Sequence, residues 1–347
     1  MDISEKLMAR CLELAACGKG NTAPNPMVGA VIVRDGRIIG EGDHCRYGDA
    51  HAEDHAITSV KDKSLLLDAT MYVSLEPCSH YGKRFPCAEQ IIRSGLPRVV
   101  VACMDANPKV FGNGIRMLQE AGVDVAIGVM EREAIALNRF FMTAHIKKRP
   151  YIILKWAQSE DGFVDRLRND ATTPPVILST PLTRLMVHKL RSEVQAIMVG
   201  TRTITLDDPS LTVRYWAGNA PLRITIDQHA RIPESARILT DGRPTLVYSA
   251  DNASLKNIMA DLYERKINSL LVEGGPILHH SFFEDNLWDE IIVETAPVKL
   301  ENGVSAFNFR QTDGVQLSKR MVIPAFLSSH AKTSFIEVYS NRISSLN

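Results

Sequence analysis

The chain has 347 residues, with 40 Lys+Arg balanced by 40 Asp+Glu, 45% hydrophobic and 23% charged residues, and six cysteines. At roughly 150 residues per domain this length suggests two domains, and the composition is that of a globular protein able to bury two cores. Dividing after Pro150 leaves 19 basic and 18 acidic residues before it, 21 and 22 after it, so neither half carries the basic excess of a nucleic-acid binder. No apolar run approaches the roughly 18 residues of a membrane helix. The N-terminus reads as an amphipathic helix and not as a signal peptide. Six cysteines without a secretory signal point to reduced thiols in the cytoplasm.

Ile3 to Cys17 repeats apolar residues at helical intervals until Gly18 and Gly20 halt it, and Pro24 and Pro26 then impose extended chain. Val28 to Val33 is rich in β-formers, and Asp35-Gly36 predicts a hairpin turn into Arg37 to Gly40. A helix after His51 follows, then a strand near Met71 to Leu75 and a helix from Cys87 to Ser94. Arg98 to Cys103 reads as a strand, with a helix ending at Ala121, a strand from Val123 to Ile127 and one helix from Glu131 to Met142. This alternation implies an α/β layer. Lys147 to Pro150 reads as a linker, dividing the chain into 1–147 and 148–347.

After the linker the alternation restarts. Strand-like runs are Tyr151–Ala157, Ala196–Gly200, Arg223–Asp227, Thr245–Ser249, Ser269–Glu273 and Glu290–Glu294; helical runs fall near Leu182–Glu193, Leu255–Lys266 and Ile277–Asp285. A second, mostly parallel sheet with helices packed on it is expected.

The most informative residues are His51-Ala52-Glu53, then Glu76-Pro77-Cys78, then Cys87. One imidazole and two cysteine sulfurs make a three-ligand catalytic zinc set with a fourth position left for water. A carboxylate is also needed to shuttle protons to departing ammonia, and Glu53, two residues from the ligand, is placed for that. H-x-E with a later P-C-x-x-C is the signature of zinc-dependent nucleobase deaminases. Here eight residues separate the two cysteines instead of two, which adds a loop beside the metal; the helix starting at Cys87 is expected to aim its positive end at that thiolate. Taken singly, each of these residues is more often a polar surface or small core residue. As a set they are not. In the second half, the Glu-Gly-Gly-Pro after Ser269–Val272 would let backbone approach a phosphate at a helix start, though from the residues alone a plain tight turn is the commoner reading.

HAEDHA with EPCSHYGKRFPC, preceded by PNPMVGAVIV, closely resembles the RibD family of bifunctional riboflavin-biosynthesis enzymes, a pyrimidine deaminase fused to a reductase. The long PCSHxGKxxPC form marks that family; cytidine and tRNA deaminases have the shorter one. The resemblance implies a cytidine-deaminase-like three-layer α/β/α domain followed by a dihydrofolate-reductase-like α/β domain. It implies Zn²⁺ on His51, Cys78 and Cys87 with Glu53 as proton donor and acceptor. Asn25, His44, His80 and Lys83 would line the pyrimidine pocket, with Asp105 and Asn107 near the ribose phosphate. For each of these six, a loop-capping role remains an equal reading.

PYIILKWAQSEDG, LRSEVQAIMVGTRTITLDDPSLTVR and LLVEGGP resemble the family's NADPH-dependent reductase. Carried over, Gln158, Thr203, Asp207 and the loop Gly275, Pro276, Ile277, Leu278, His279, His280 and Ser281 would contact NADPH. Arg191, Leu211, Arg214 and Glu273 would contact the ribosylamino-pyrimidine phosphate, and Lys155 is a candidate catalytic residue. Where the family usually has Ser-x-Trp-Ile, this chain reads Thr173-Pro174-Pro175-Val176-Ile177-Leu178, so contacts there do not carry over. Residues 301–347 match no usable motif. The resemblance thus implies deamination of 2,5-diamino-6-ribosylamino-4(3H)-pyrimidinone 5′-phosphate followed by NADPH reduction of the ribosyl to a ribityl chain. It also implies a small phosphorylated pyrimidine as the partner and a homo-oligomer. Neither nucleic acid nor membrane is expected as a partner. The alternatives are a deaminase with a degenerate reductase domain, an RNA-editing zinc deaminase, and a zinc that only staples the fold.

Overall fold

Apolar residues three and four apart along Ile3–Ala16 wind into α1, started by a capping box in which the Asp2 side chain accepts from the Glu5 N–H at 2.8 Å and Glu5 accepts from the Asp2 N–H at 3.0 Å. The computed structural model describes residues 1–81, 85–249, 253–323 and 333–342, and the chain forms two units, Met1–Lys148 and Arg149–Asn347. In the first unit α1 is followed by β1 (Gly29–Arg34), β2 (Arg37–Asp43), α2 (Ala52–Ser59), β3 (Thr70–Val73), α3 (Cys87–Arg93), β4 (Arg98–Val101), α4 (Asn113–Glu120), β5 (Asp124–Ile127), α5 (Glu131–Leu137) and α6 (Arg139–Lys147). The sheet order is β2-β1-β3-β4-β5, with β1 antiparallel to both neighbours and β3, β4 and β5 parallel. Asp35 and Gly36 both take positive φ, 49° and 72°, as the expected two-residue hairpin turn demands.

Alternation along β1 covers both faces of this sheet. Ala30 and Ile32 share a core with Ala52 and Ala56 of α2. Gly29, of opposite parity, backs onto α1 so closely that a Cβ there would lie 2.1 Å from the Cys11 carbonyl oxygen. Helices therefore cover each face, giving three layers. The single helix expected over Glu131–Met142 is broken at Asn138. That side chain is buried, donating to the Met27 carbonyl and accepting from the Met27 N–H, both at 2.8 Å. Holding the Asn25–Met27 loop takes precedence over continuing the helix.

The second unit contains β6 (Tyr151–Gln158), β7 (Phe163–Asp165), α7 (Pro181–Glu193), β8 (Ala196–Gly200), α8 (Thr201–Asp207), β9 (Leu222–Ile226), α9 (Arg237–Thr240), β10 (Thr245–Tyr248), α10 (Leu255–Glu264), β11 (Ser269–Val272), α11 (Pro276–Glu284), β12 (Glu290–Thr295), β13 (Val304–Ser305), β14 (Val315–Ile323) and β15 (Ser334–Asn341). Its main sheet runs β10-β9-β8-β11-β6-β12-β15-β14, parallel from β10 to β12 and antiparallel over the last two strands. The segment after residue 301, which carried no motif, thus supplies two strands of this sheet. Helix α8 also escaped the sequence reading, because Thr201-Arg-Thr-Ile-Thr is β-branched at four of five positions and reads against helix. Where the chain leaves the unit boundary, Arg149 makes a bidentate pair with buried Asp289 at 2.6 and 3.0 Å, and Asp289 also accepts from the Ile152 N–H.

One buried carboxylate positions the loop after β3. Glu76, 3% exposed, accepts through Oε2 from the N–H groups of Asp105 and Gly112 at 3.2 and 3.1 Å, and through Oε1 from those of Gly114 and Ile115 at 3.0 and 3.4 Å. Three of these donors belong to the start of α4, where N–H groups have no partner within the helix. The contact is close enough to require glycine: a Cβ on Gly114 would stand 1.9 Å from the Pro77 carbonyl oxygen. Gly114→Ala is expected to push Pro77 and Cys78 off α4, costing about 1–3 kcal/mol in the denaturant unfolding of this unit and lowering the zinc retained after dialysis. A wild-type midpoint with full zinc content would contradict this.

Candidate active sites

Ligand atoms from His51, Cys78 and Cys87 converge within 4.8 Å of one another. His51 is the N-cap of α2, Cys78 lies on the loop tied down through Glu76, and Cys87 opens α3 after Pro86. The His51 Nδ1 is 3.2 Å from the Cys87 Sγ and 3.6 Å from the Cys78 Sγ. The long inter-cysteine excursion closes because the Cys87 N–H donates to the Cys78 Sγ at 3.3 Å and the Ala88 N–H donates to the Cys78 carbonyl at 3.1 Å. The α3 N-terminus, expected to face the Cys87 thiolate, also gives its first N–H to the Cys78 sulfur.

This donor set suits a cation. A hydrogen bond with Cys87 pulls the Cys78 thiol down, while Cys78 and burial push the Cys87 thiol up. Two such sulfurs side by side, one drawn toward the thiolate form, suit a positive ion. One imidazole and two thiolates are ligands of zinc, and among the described residues no fourth His, Cys, Asp or Glu joins the group. Beside it, the Glu53 carboxyl is 3% exposed and raised to about 7, chiefly by burial, with His51 opposing and Cys78 reinforcing. A carboxyl at that value exchanges protons at neutral pH.

Asn25 and His44 meet at this site. The His44 Nδ1 lies 3.0 Å from the Ala50 carbonyl, which can only accept, so Nδ1 carries the proton and Nε2 accepts from the Asn25 amide at 3.4 Å. Burial lowers the His44 pKa and keeps the ring neutral, and it packs edge-on against His51 at 5.3 Å between centroids. Asp105 and Asn107 spend side-chain oxygens on their own loop, Asp105 accepting from the Asn107 N–H at 2.7 Å and Asn107 from the Lys109 N–H at 3.1 Å. Asp105 is nevertheless buried, its carboxyl raised to about 7 mainly by that burial. His80 is exposed, and Lys83 lies outside the described residues.

In the second unit a cavity of about 1000 Å³ opens at the carboxyl ends of the parallel strands β6, β8 and β11, where ligands of open α/β sheets sit. Lys155, Thr203, Asp207, Arg191, Arg214, Glu273 and the Gly275, Pro276, Ile277, Leu278 and Ser281 positions all line it. Leu211 lines a smaller cavity of about 640 Å³ that shares Arg191, Asp207 and Arg214 with the first. Three expected side chains do not reach either wall. Gln158 is buried and accepts from the Trp156 indole at 2.9 Å, His279 is buried with Nε2 donating to the Val272 carbonyl at 3.1 Å, and His280 is exposed beside Glu284. The cause is strand and helix periodicity, which turns alternate positions inward. At the Gly-Gly turn, Pro276 lacks an N–H, and the Gly275 carbonyl accepts from the N–H groups of Leu278 and His279, two of the donors expected to face a phosphate.

Buried ion pairs brace the cavity. Arg191 grips Glu273 through two bonds of 3.0 and 2.5 Å and also donates to the Thr212 carbonyl. Burial alone would raise the Glu273 carboxyl; the Arg191 charge and hydrogen bonds outweigh it and hold the carboxyl low. Arg168, which the sequence reading passed over, is 6% exposed and binds Asp165 at 2.7 Å and Asp207 at 2.6 Å. It also donates to the Thr173 carbonyl, while the Val176 N–H donates to Asp165. The divergent Thr173–Leu178 stretch is thereby fixed, and Pro175 to Leu178 form part of the cavity wall. Glu76 stood in the Glu-Pro-Cys motif with no role assigned to it, while Arg168 and His188, a further cavity-lining residue, carried no motif of their own. Only the burial of a charged or polar group in the folded chain marks them.

Residues 1–103 match the cytidine and deoxycytidylate deaminase zinc-binding region, and residues 150–320 match the RibD C-terminal domain. The riboflavin biosynthesis protein RibD of Aquifex aeolicus is 40% identical over 325 residues, covering 88% of this chain and 90% of that one. The Escherichia coli RibD is 37% identical over 327 residues, covering 84% and 87%. A crystal structure from Thermotoga maritima, described as a diaminohydroxyphosphoribosylaminopyrimidine deaminase/5-amino-6-(5-phosphoribosylamino)uracil reductase, superposes with a TM-score of 0.87 at 32% identity, covering 98% of this chain and 99% of that one. Acinetobacter baumannii RibD gives 0.84 at 31%, covering 97% and 98%. With two matched regions in the order deaminase then reductase and relatives similar across most of its length, the chain belongs to the RibD family of riboflavin-biosynthesis proteins.

Proposed function

We infer that this chain carries two consecutive steps of riboflavin biosynthesis. The first unit deaminates 2,5-diamino-6-ribosylamino-4(3H)-pyrimidinone 5′-phosphate, and the second reduces the ribosyl of the product to a ribityl chain. The observation that carries this reading is the convergence of His51, Cys78 and Cys87 beside the buried Glu53 carboxyl. His51, Cys78 and Cys87 would hold zinc, whose Lewis acidity makes water nucleophilic near neutral pH. Glu53 takes the proton that water gives up and returns it to the departing ammonia. Asn25 and the neutral His44 stand beside the metal ligands and orient the pyrimidine, with Asp105 and Asn107 on the loop below it.

In the second unit NADPH supplies the reducing equivalent. Thr203, Asp207 and the wall from Gly275 to Ser281 orient it; Arg191, Arg214 and Glu273 face the phosphorylated substrate, with Leu211 in the adjoining cavity and Lys155 on the wall of the larger one. We also place the protein in the cytoplasm, a reading supported by its six unpaired cysteines.

Glu53→Gln is expected to lower ammonia release by about 10²–10⁴-fold, the usual cost of a lost general acid–base, while NADPH oxidation on the deaminated substrate persists. Loss of both activities together would refute separate sites. Arg191→Met, which strands the Glu273 carboxylate in a buried position, should cut reductase kcat/KM by at least about tenfold and leave ammonia release at the wild-type rate. Equal losses in the two assays would show that Arg191 does not serve the second site.

A further inference from the structure

His188 lies on α7 three residues before Arg191, so the two side chains share a helix face. It is only 3% exposed, yet it lines the larger cavity together with Arg191, Arg214 and Glu273. Its Nδ1 is 2.9 Å from the backbone nitrogen of Arg214, an N–H that can only donate. Nδ1 is therefore the acceptor, and a neutral ring must carry its proton on Nε2. Neutrality is enforced by burial first and by the charges of Arg191 and Arg214 next, which push the pKa down to about 4. Tyr215 packs edge-on against the ring at 4.8 Å between centroids. Among the described residues nothing accepts from Nε2, and Nε2 is not one of the orphaned buried atoms. Nε2 therefore keeps some exposure, on a residue that lines the cavity wall.

We propose that His188 binds substrate in the reductase site, donating its Nε2–H to an oxygen of the ribosyl phosphate portion. The inference rests on the reading that Arg191 and Arg214 face the phosphorylated substrate. Between two guanidiniums, a neutral donor held by backbone and aromatic contacts adds direction without adding charge. A site that offers such a donor favours ligands with an oxygen at that point over analogues lacking it.

Two substitutions separate binding from scaffolding. His188→Asn keeps an acceptor near the Nδ1 position for the Arg214 N–H and loses the distal donor. His188→Gln keeps a distal donor and loses the near acceptor. With the full chain, 5-amino-6-(5-phosphoribosylamino)uracil and NADPH, His188→Asn should raise KM for the uracil about tenfold, the worth of one hydrogen bond to a polar group, and leave KM for NADPH unchanged. His188→Gln should recover most of that loss. A wild-type KM in His188→Asn, or parallel rises in both KM values in both variants, overturns the proposal. The wild-type chain gives a readout independent of variant folding: with ¹⁵N-labelled histidine, the His188 Nε2 signal should move on adding the uracil and stay put with NADPH alone, and an unmoved signal overturns it equally. A wild-type chain that fails to oxidise NADPH with this uracil instead overturns the reading of the second unit, and the proposal with it.

Discussion

The carboxylate of Glu76 has left water and is repaid by four backbone N–H groups, one from the loop after β4 and three from the start of α4. A buried ion without such partners would cost several kcal/mol, so the carboxylate and its donors are held together tightly. Cys78 is only two residues further along. Pro77 is pressed against Gly114 on one side, and Cys78 itself receives two N–H groups from the start of α3. The candidate metal ligand contributed by a loop is thereby as well fixed as the two candidates contributed by helix ends. Asp105, whose N–H is one of the four donors, is placed by the same carboxylate.

The second unit solves the same problem with cations. Arg191 meets Glu273 beside the cavity, and Arg168 spans Asp165 and Asp207. Each pair fixes elements far apart in the chain: α7 to the end of β11, and β7 to the end of α8. The cavity between them lies where strands β8 and β11 end side by side and their following helices diverge. Ligands of open α/β sheets bind at such a place, outside the carboxyl ends of the strands. The divergent Thr173–Leu178 stretch is held by Arg168 and Asp165 and not by its own sequence pattern, so the wall survives a change of residues there.

Much was legible because it is local. His51 and Glu53 sit at the cap and first turn of one helix, and a Pro before each of Cys78 and Cys87 announces a loop and a helix start. The hairpin at Asp35-Gly36 follows from backbone sterics alone. What escaped was long-range. Glu76 finds its partners 29 to 39 positions away, and Arg168 reaches Asp207 across 39. Asn138 breaks a helix to hold Met27, 111 residues earlier. Gln158, His279 and His280 were read by their place in a motif. Strand and helix geometry turned Gln158 and His279 into the core, and His280 away from the cavity.

The amino-acid sequence by itself determined the chemistry on offer. A nitrogen and two sulfur ligands with an adjacent carboxylate can be recognised without coordinates, because the spacing of ligands on turns and helix ends survives any packing that keeps those elements. The tertiary structure decided which of the remaining polar residues serve a site and which serve the core. That choice depends on where a side chain loses its water and what replaces it. Burial and pairing are properties of residues brought together from distant positions, and only the packed chain brings them together.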